Sequence, residues 1–263
     1  MTFKKSLLPA TLLALMVVTC LARKETALSW PRGGSELMGD PVGSAPAQAG
    51  AAGAIAGRVT FEGAKPALEP IDMEKDPVCA AKHKSPAYPQ DGAVNPNGTL
   101  PNVFVYIKAG AENAGSAPPT QPVILDQRGC TYHPHIFGIM VGQELQVVSS
   151  DATTHNIHPM PRQNKEWNRS QPPGAAPLTA RFTHPEIMIP VKCNQHPWMR
   201  AYIGVTTNRF YAVTSSEGTF SIQGVPPGDY TIEAWTATFG TQERHVTVSA
   251  GAPATADFTF KKP

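Results

Sequence analysis

Glu217-Gly218-Thr219-Phe220-Ser221-Ile222, followed by Val225-Pro226-Pro227-Gly228-Asp229-Tyr230-Thr231-Ile232, is the stretch that decides the fold. Phe220 and Ile222 share one face of an extended chain, as do Tyr230 and Ile232. Glu217-Gly218 can supply a tight hairpin turn. Strand signals of the same kind run outward from here. Downstream are His245 to Val248 and Ala256 to Phe260; upstream are Phe210 to Val213, Ala201 to Val205, Ile187 to Val191, Leu145 to Val148, Ile136 to Val141, Val123 to Leu125, Val103 to Ile107 and Ile55 to Phe61. Gly, Pro, Asn and Asp separate them, and no long stretch carries apolar residues at helical spacing, so the expected class is all-β, built of sandwiches. The composition agrees: the 263 residues include 22 glycines and 27 prolines, and only 16% are charged, against roughly 25% in ordinary soluble domains. A net charge of +2 is too small for a polyanion binder, so no nucleic-acid partner is expected.

The G-x-F-x-I strand and the V-P-x-G-x-Y turn-and-strand resemble the carboxypeptidase-regulatory, transthyretin-like sandwich. Residues 209 to 263 supply only about five strands where such a sandwich wants about seven. Gly57-Arg58-Val59 and Leu100-Pro101-Asn102-Val103-Phe104-Val105 look like the family's opening strands, far upstream. The expected organisation is therefore a split sandwich, in residues 53–120 and 207–263, with a second domain at 121–206 inserted into it. Two tandem domains, one of them small and irregular, are the alternative.

The inserted region carries the chemistry. Residues 193 to 199 read Cys-Asn-Gln-His-Pro-Trp-Met, between two strand signals, and His155-Asn156 follows a strand about 40 residues earlier. One thiolate, two imidazoles and one thioether select copper, in the blue-copper set of two histidines, a cysteine and a weak axial methionine. Zinc is a poorer match because thioether is a poor zinc ligand. At these residues the chain resembles the cupredoxin family, with a short amicyanin-like gap between His196 and Met199. The resemblance implies a Greek-key sandwich and a single type 1 copper, with His155, Cys193 and His196 as equatorial ligands and Met199 axial. It implies that Asn156 steadies the thiolate loop, and that the His196 edge emerges in an apolar patch to which Trp198 could belong. One loop cysteine excludes a dinuclear copper centre, and a lone His133-Pro134-His135 pair excludes a multicopper cluster.

The N-terminus reads as an export signal over residues 1–22: Lys4 and Lys5 precede an apolar run from Leu7 to Val18, too short to span a bilayer. Cleavage after Ala22 competes with a loose lipobox that would lipidate Cys20 and attach the chain to a membrane. Residues 23–52 read as a flexible linker. The mature chain is thus expected to be periplasmic or a membrane-anchored lipoprotein, where disulfides form. There Cys79 and Cys130 read as a disulfide. A second metal site, drawing on those cysteines with His83, His133 and His135, remains the alternative. His158 has a solvent reading and a secondary-metal reading. The function expected is electron transfer rather than catalysis, with a c-type cytochrome or a periplasmic oxidoreductase as redox partner. A copper carrier or sensor, and a non-metal cell-surface binding sandwich, are the rival classes.

Overall fold

The computed structural model describes residues 52–112, 114–115 and 117–262. The expected export segment, Cys20 and nearly all of the linker lie outside them. In chain order the elements are β1 (Gly53–Glu62), α1 (Pro77–Ala80), β2 (Phe104–Ala109), β3 (Val123–Arg128), β4 (Thr131–His133), β5 (Ile136–Met140), β6 (Glu144–Ser149) and β7 (His155–Pro159). Then follow β8 (Arg169–Gln171), β9 (Leu178–Arg181), β10 (Glu186–Lys192), β11 (Arg200–Thr206), β12 (Tyr211–Val213) and β13 (Thr219–Val225). The last are β14 (Gly228–Thr236), β15 (Gly240–Val248), β16 (Pro253–Thr255) and β17 (Phe258–Lys261). The protein is all-β, as the alternation requires.

Four sheets form two large cores, with a smaller buried cluster of Phe104, Tyr106, Ile136 and Met188 between them. One sheet has the order β13-β1-β16, with β17 also on β1; another has the order β12-β2-β14-β15. Their inner faces pool Ile55, Val59, Phe220, Ile222, Phe258 and Phe260 with Val105, Ile107, Ile232 and Ala234. The quoted stretch supplies β13 and β14, and Gly218 turns into β13 with a φ of 72°, a left-handed conformation that suits glycine. β1 runs antiparallel to β13 and parallel to β16 and β17, while β2 lies antiparallel to both β12 and β14. The two earliest strands therefore pair with strands from Tyr211 onward.

The residues between them build the other two sheets, in the orders β5-β11-β10-β7-β8 and β4-β3-β6-β9. Their core holds Leu125, Tyr132, Leu145 and Val147 with Ile139, Ile157, Ile189, Val191, Ile203 and Val205. Full burial of an aliphatic side chain of this size stabilises by about 1.5–3 kcal/mol. β7 lies beside β10, pairing His158 with Lys192. That pairing brings its first residue, His155, to the end of the sheet from which the 193–199 loop springs.

Where the cores meet, two glycines make room for aromatic rings. Gly138 on β5 and Gly204 on β11 are register partners. Tyr211 lies over the first and Phe104 over the second, and these two rings stack with centroids 5.6 Å apart. A Cβ on Gly204 would sit 2.5 Å from Phe104 Cζ and 2.7 Å from Met188 Cε. Phe104 is fully buried and has nowhere to move. Gly204→Ala should therefore lower the unfolding free energy by about 1–3 kcal/mol, read from the midpoint of urea unfolding.

Candidate metal centre

β10 ends at Lys192 and β11 begins at Arg200, so Cys193 to Met199 form a tight loop between antiparallel neighbours. Its own backbone closes it: Cys193 N–H donates to the Met199 carbonyl (3.3 Å) and Met199 N–H to that of His196 (2.9 Å). Asn156, on β7, anchors it from outside. Its Oδ1 accepts from Asn194 N–H at 2.7 Å and from the Cys193 thiol at 3.3 Å, while its amide donates to Asn168. The Tyr132 hydroxyl lies 2.6 Å from the Asn156 carbonyl and 3.1 Å from that of Lys192, joining strand to loop. Burial pushes its pKa up, so it stays a protonated donor.

This scaffold brings His155, Cys193 and His196 together. Their ligand atoms all lie within 4.8 Å of one another. His155 Nδ1 faces His196 Nδ1 at 2.9 Å, and Cys193 Sγ is 3.6 Å from the latter. The outer nitrogens face carboxylates: His155 Nε2 is 3.0 Å from Asp151 Oδ2, and His196 Nε2 is 2.9 Å from Asp76 Oδ2. Both carboxylates are ionised at neutral pH. Hydrogen bonding from His196 holds Asp76 down at about 2. Burial opposes ionisation of Asp151, but the Cys130 N–H, the His155 ring and the Gly129 N–H outweigh it and hold its carboxyl below the usual range. Burial likewise keeps the His155 ring neutral by lowering its pKa.

An ionised carboxylate can only accept, so each Nε2 must be the donor. In the neutral tautomer that leaves a lone pair on each Nδ1, and the two lone pairs point at each other across 2.9 Å. A proton or a cation must lie between them. A metal with bonds of ~2.0 Å to imidazole and ~2.3 Å to thiolate sets such donors roughly 3.3–3.7 Å apart, close to what the side chains already show. The residues fit a first-row metal. Met199 is fully buried in the same core as Cys193.

One departure from the expectation concerns access. His196 is only 4% exposed. Its outer edge is covered by Asp76, and the Trp198 ring packs 5.1 Å from it, with Nε1 donating to the Cys130 carbonyl. The edge expected to emerge at the surface is sealed.

Cys79 and Cys130 form a disulfide, which removes both thiols from the alternative second metal site. The other histidines are held by protein partners. His83 reaches the Gly129 carbonyl (2.8 Å) and His133 the Thr131 hydroxyl (2.7 Å). His135 lies between the Arg200 carbonyl and Asp91, and His158 between Asn194 and Glu166. Among the described residues, none of these four joins a cluster that could hold a metal. Residue type and spacing do not single out Asp76 or Asp151 in the sequence. Asp151 had a local signal, lying four residues before His155. Asp76 had only the Asp-Pro start of a helix, 120 residues from the histidine it meets.

Comparison with known proteins covers the chain in parts. Residues 194–261 match the family model of the carboxypeptidase regulatory-like domain. The matched span holds the quoted stretch and begins inside the metal loop. No curated protein matches the chain by sequence. Among solved structures, a copper-containing nitrite reductase from Thermus scotoductus is 21% identical over 38% of this chain, at a TM-score of 0.30; the chain spans a quarter of that protein. A purple cupredoxin from Nitrosopumilus maritimus is 18% identical over 32% of this chain and 98% of its own, at a TM-score of 0.27. A mutant amicyanin is 18% identical over 38% of this chain and 97% of its own, at 0.29. At scores this low the case for a metal rests on the site itself.

Proposed function

We propose that the chain is an extracytoplasmic copper protein that passes single electrons through one type 1 site held by His155, Cys193, His196 and Met199. The observation that carries this reading is the inward-facing pair of Nδ1 atoms beside a buried free thiol, with both outer nitrogens occupied by carboxylates. Copper in such a set would alternate between Cu(I) and Cu(II). The protein's part is to hold the donors and exclude water. His155, Cys193, His196 and Met199 are at most 4% exposed, which favours electron exchange over chemistry on a bound substrate and over ready release of the metal to an acceptor. The disulfide supports an oxidising compartment. A c-type cytochrome or a periplasmic oxidoreductase fits as redox partner, and a lipidated Cys20 would attach the chain to a membrane. The pairing of β1 and β2 with strands after residue 210 supports residues 121–206 as an insertion in a split regulatory-like sandwich.

The test is to add Cu(II) to the purified mature protein and record visible and EPR spectra. One copper per chain with an intense thiolate-to-copper band is the expected result. Binding of Cu(I) without that band would favour a carrier or sensor. A colourless protein that takes up only zinc would sink the copper reading.

A further inference from the structure

Outside the four ligand candidates, a pair of carboxylates stands behind the two histidines. They lie 75 residues apart in sequence, yet their surroundings match. Asp76 accepts from His196 Nε2 and from the N–H groups of Val78 and Cys79. Asp151 accepts from His155 Nε2 and from the N–H groups of Gly129 and Cys130. Each carboxylate thus holds one histidine by its outer nitrogen and one half-cystine by its backbone. The Cys79–Cys130 bond joins the two halves. Two cross-contacts brace them: Thr153, two residues after Asp151, donates to Asp76 at 3.0 Å, and Lys82, just after α1, lies 3.5 Å from Asp151.

We infer that Asp76 and Asp151 are paired positioning residues for the metal centre, locked by the Cys79–Cys130 disulfide into one clamp that turns both histidines Nδ1-inward and biases the site toward Cu(II). The inference rests on the copper reading. Two physical consequences follow from the geometry. A carboxylate on the outer N–H fixes the tautomer and ring angle and makes the inner nitrogen a stronger donor. Its negative charge, buried close to the metal position, favours the more highly charged ion. The Asp151 side chain is fully buried, where water screens its charge little, and Asp76 covers the outer edge of His196.

The test uses the full mature chain loaded with Cu(II). Asp76→Asn keeps an acceptor oxygen beside His196 and removes the charge, and Asp151→Asn does the same beside His155. Loss of such a partner lowers metal affinity about 10–100-fold. A tenfold loss confined to Cu(II) appears as a rise of about 59 mV in the one-electron potential. Both variants should keep one copper and their colour while the potential rises. Asp91→Asn is the control, since Asp91 holds His135, a histidine outside the centre, at 2.8 Å. Should the buried Asp151→Asn fail to fold, Asp76→Asn decides alone. Copper bound as before, with a potential no further displaced than in the Asp91 control, overturns the clamp and leaves the copper reading standing. Copper absent from the unsubstituted chain overturns both.

Discussion

Cys193→Ser should abolish the intense visible band of the copper-loaded protein outright while leaving the fold in place. The thiolate is the group that gives such a band, and Cys193 is the free cysteine among the described residues. Serine is the discriminating replacement because the loop does not depend on sulfur. Asn156 Oδ1 accepts from Asn194 N–H at 2.7 Å, and the Cys193 and Met199 backbones close the loop between themselves. A serine hydroxyl can still donate to Asn156, so the buried position keeps its partner and incurs no unsatisfied-donor cost of ~1–3 kcal/mol. The expected outcome is therefore a colourless protein whose melting curve barely moves, checked by absorption, EPR and circular dichroism on one sample. Two histidines remain, so weakened copper binding with an ordinary EPR signal is compatible with the reading. An intense band that survives in the variant is not.

The sequence exposed those parts of the fold whose residues obey one local rule. β1, β13 and β14 alternate apolar and polar residues because one face meets the core, and such strands can be read directly. β4, β7, β8, β9 and β16 cannot. They are only three to five residues long, and β7, His-Asn-Ile-His-Pro, has the composition of a loop. Its buried faces are satisfied by hydrogen bonds to Asp151, Asn194 and Cys193, which are partners set by the tertiary structure. The same division runs through the site. Cys193, His196 and Met199 share one loop and His155 precedes it by about 40 residues, so donor type and spacing reveal them. Asp76 comes from a segment whose only local structure is the single turn of α1, and nothing near it in sequence names His196 as its partner. The sealed His196 edge was hidden for the same reason, because what covers it arrives from 120 residues away.

Removing the disulfide with Cys79→Ala and Cys130→Ala together should cost about 4 kcal/mol of stability, given a sequence separation of 51. For a domain of this size that is a fall of roughly 8–16 °C in Tm. The segment from 64 to 91 has little else to hold it. Met73 and Cys79 are its buried apolar side chains, and α1 is a single four-residue turn that has no stability of its own. Freed of the covalent tie, it is retained by the Asp76 bonds to His196 and Thr153, the Lys82 contact with Asp151, the His83 bond to Gly129 and, at its far end, the Asp91 bonds to His135 and Tyr202. These are polar contacts, several of them with one partner exposed to solvent, and individually modest. The double variant should therefore become cleavable by protease between residues 71 and 91 before the rest of the chain unfolds, and the midpoint of guanidinium unfolding should fall with it. A variant within about 1 kcal/mol of the parent, and equally resistant to protease, would mean that the covering segment holds itself in place. The alanine pair also separates two roles of the covering segment. If it only shields His196, the copper-loaded double variant should keep its potential and lose metal faster. If it holds the rings through Asp76 and Asp151, the potential should rise as expected for Asp76→Asn, because the carboxylates move when their anchor is gone.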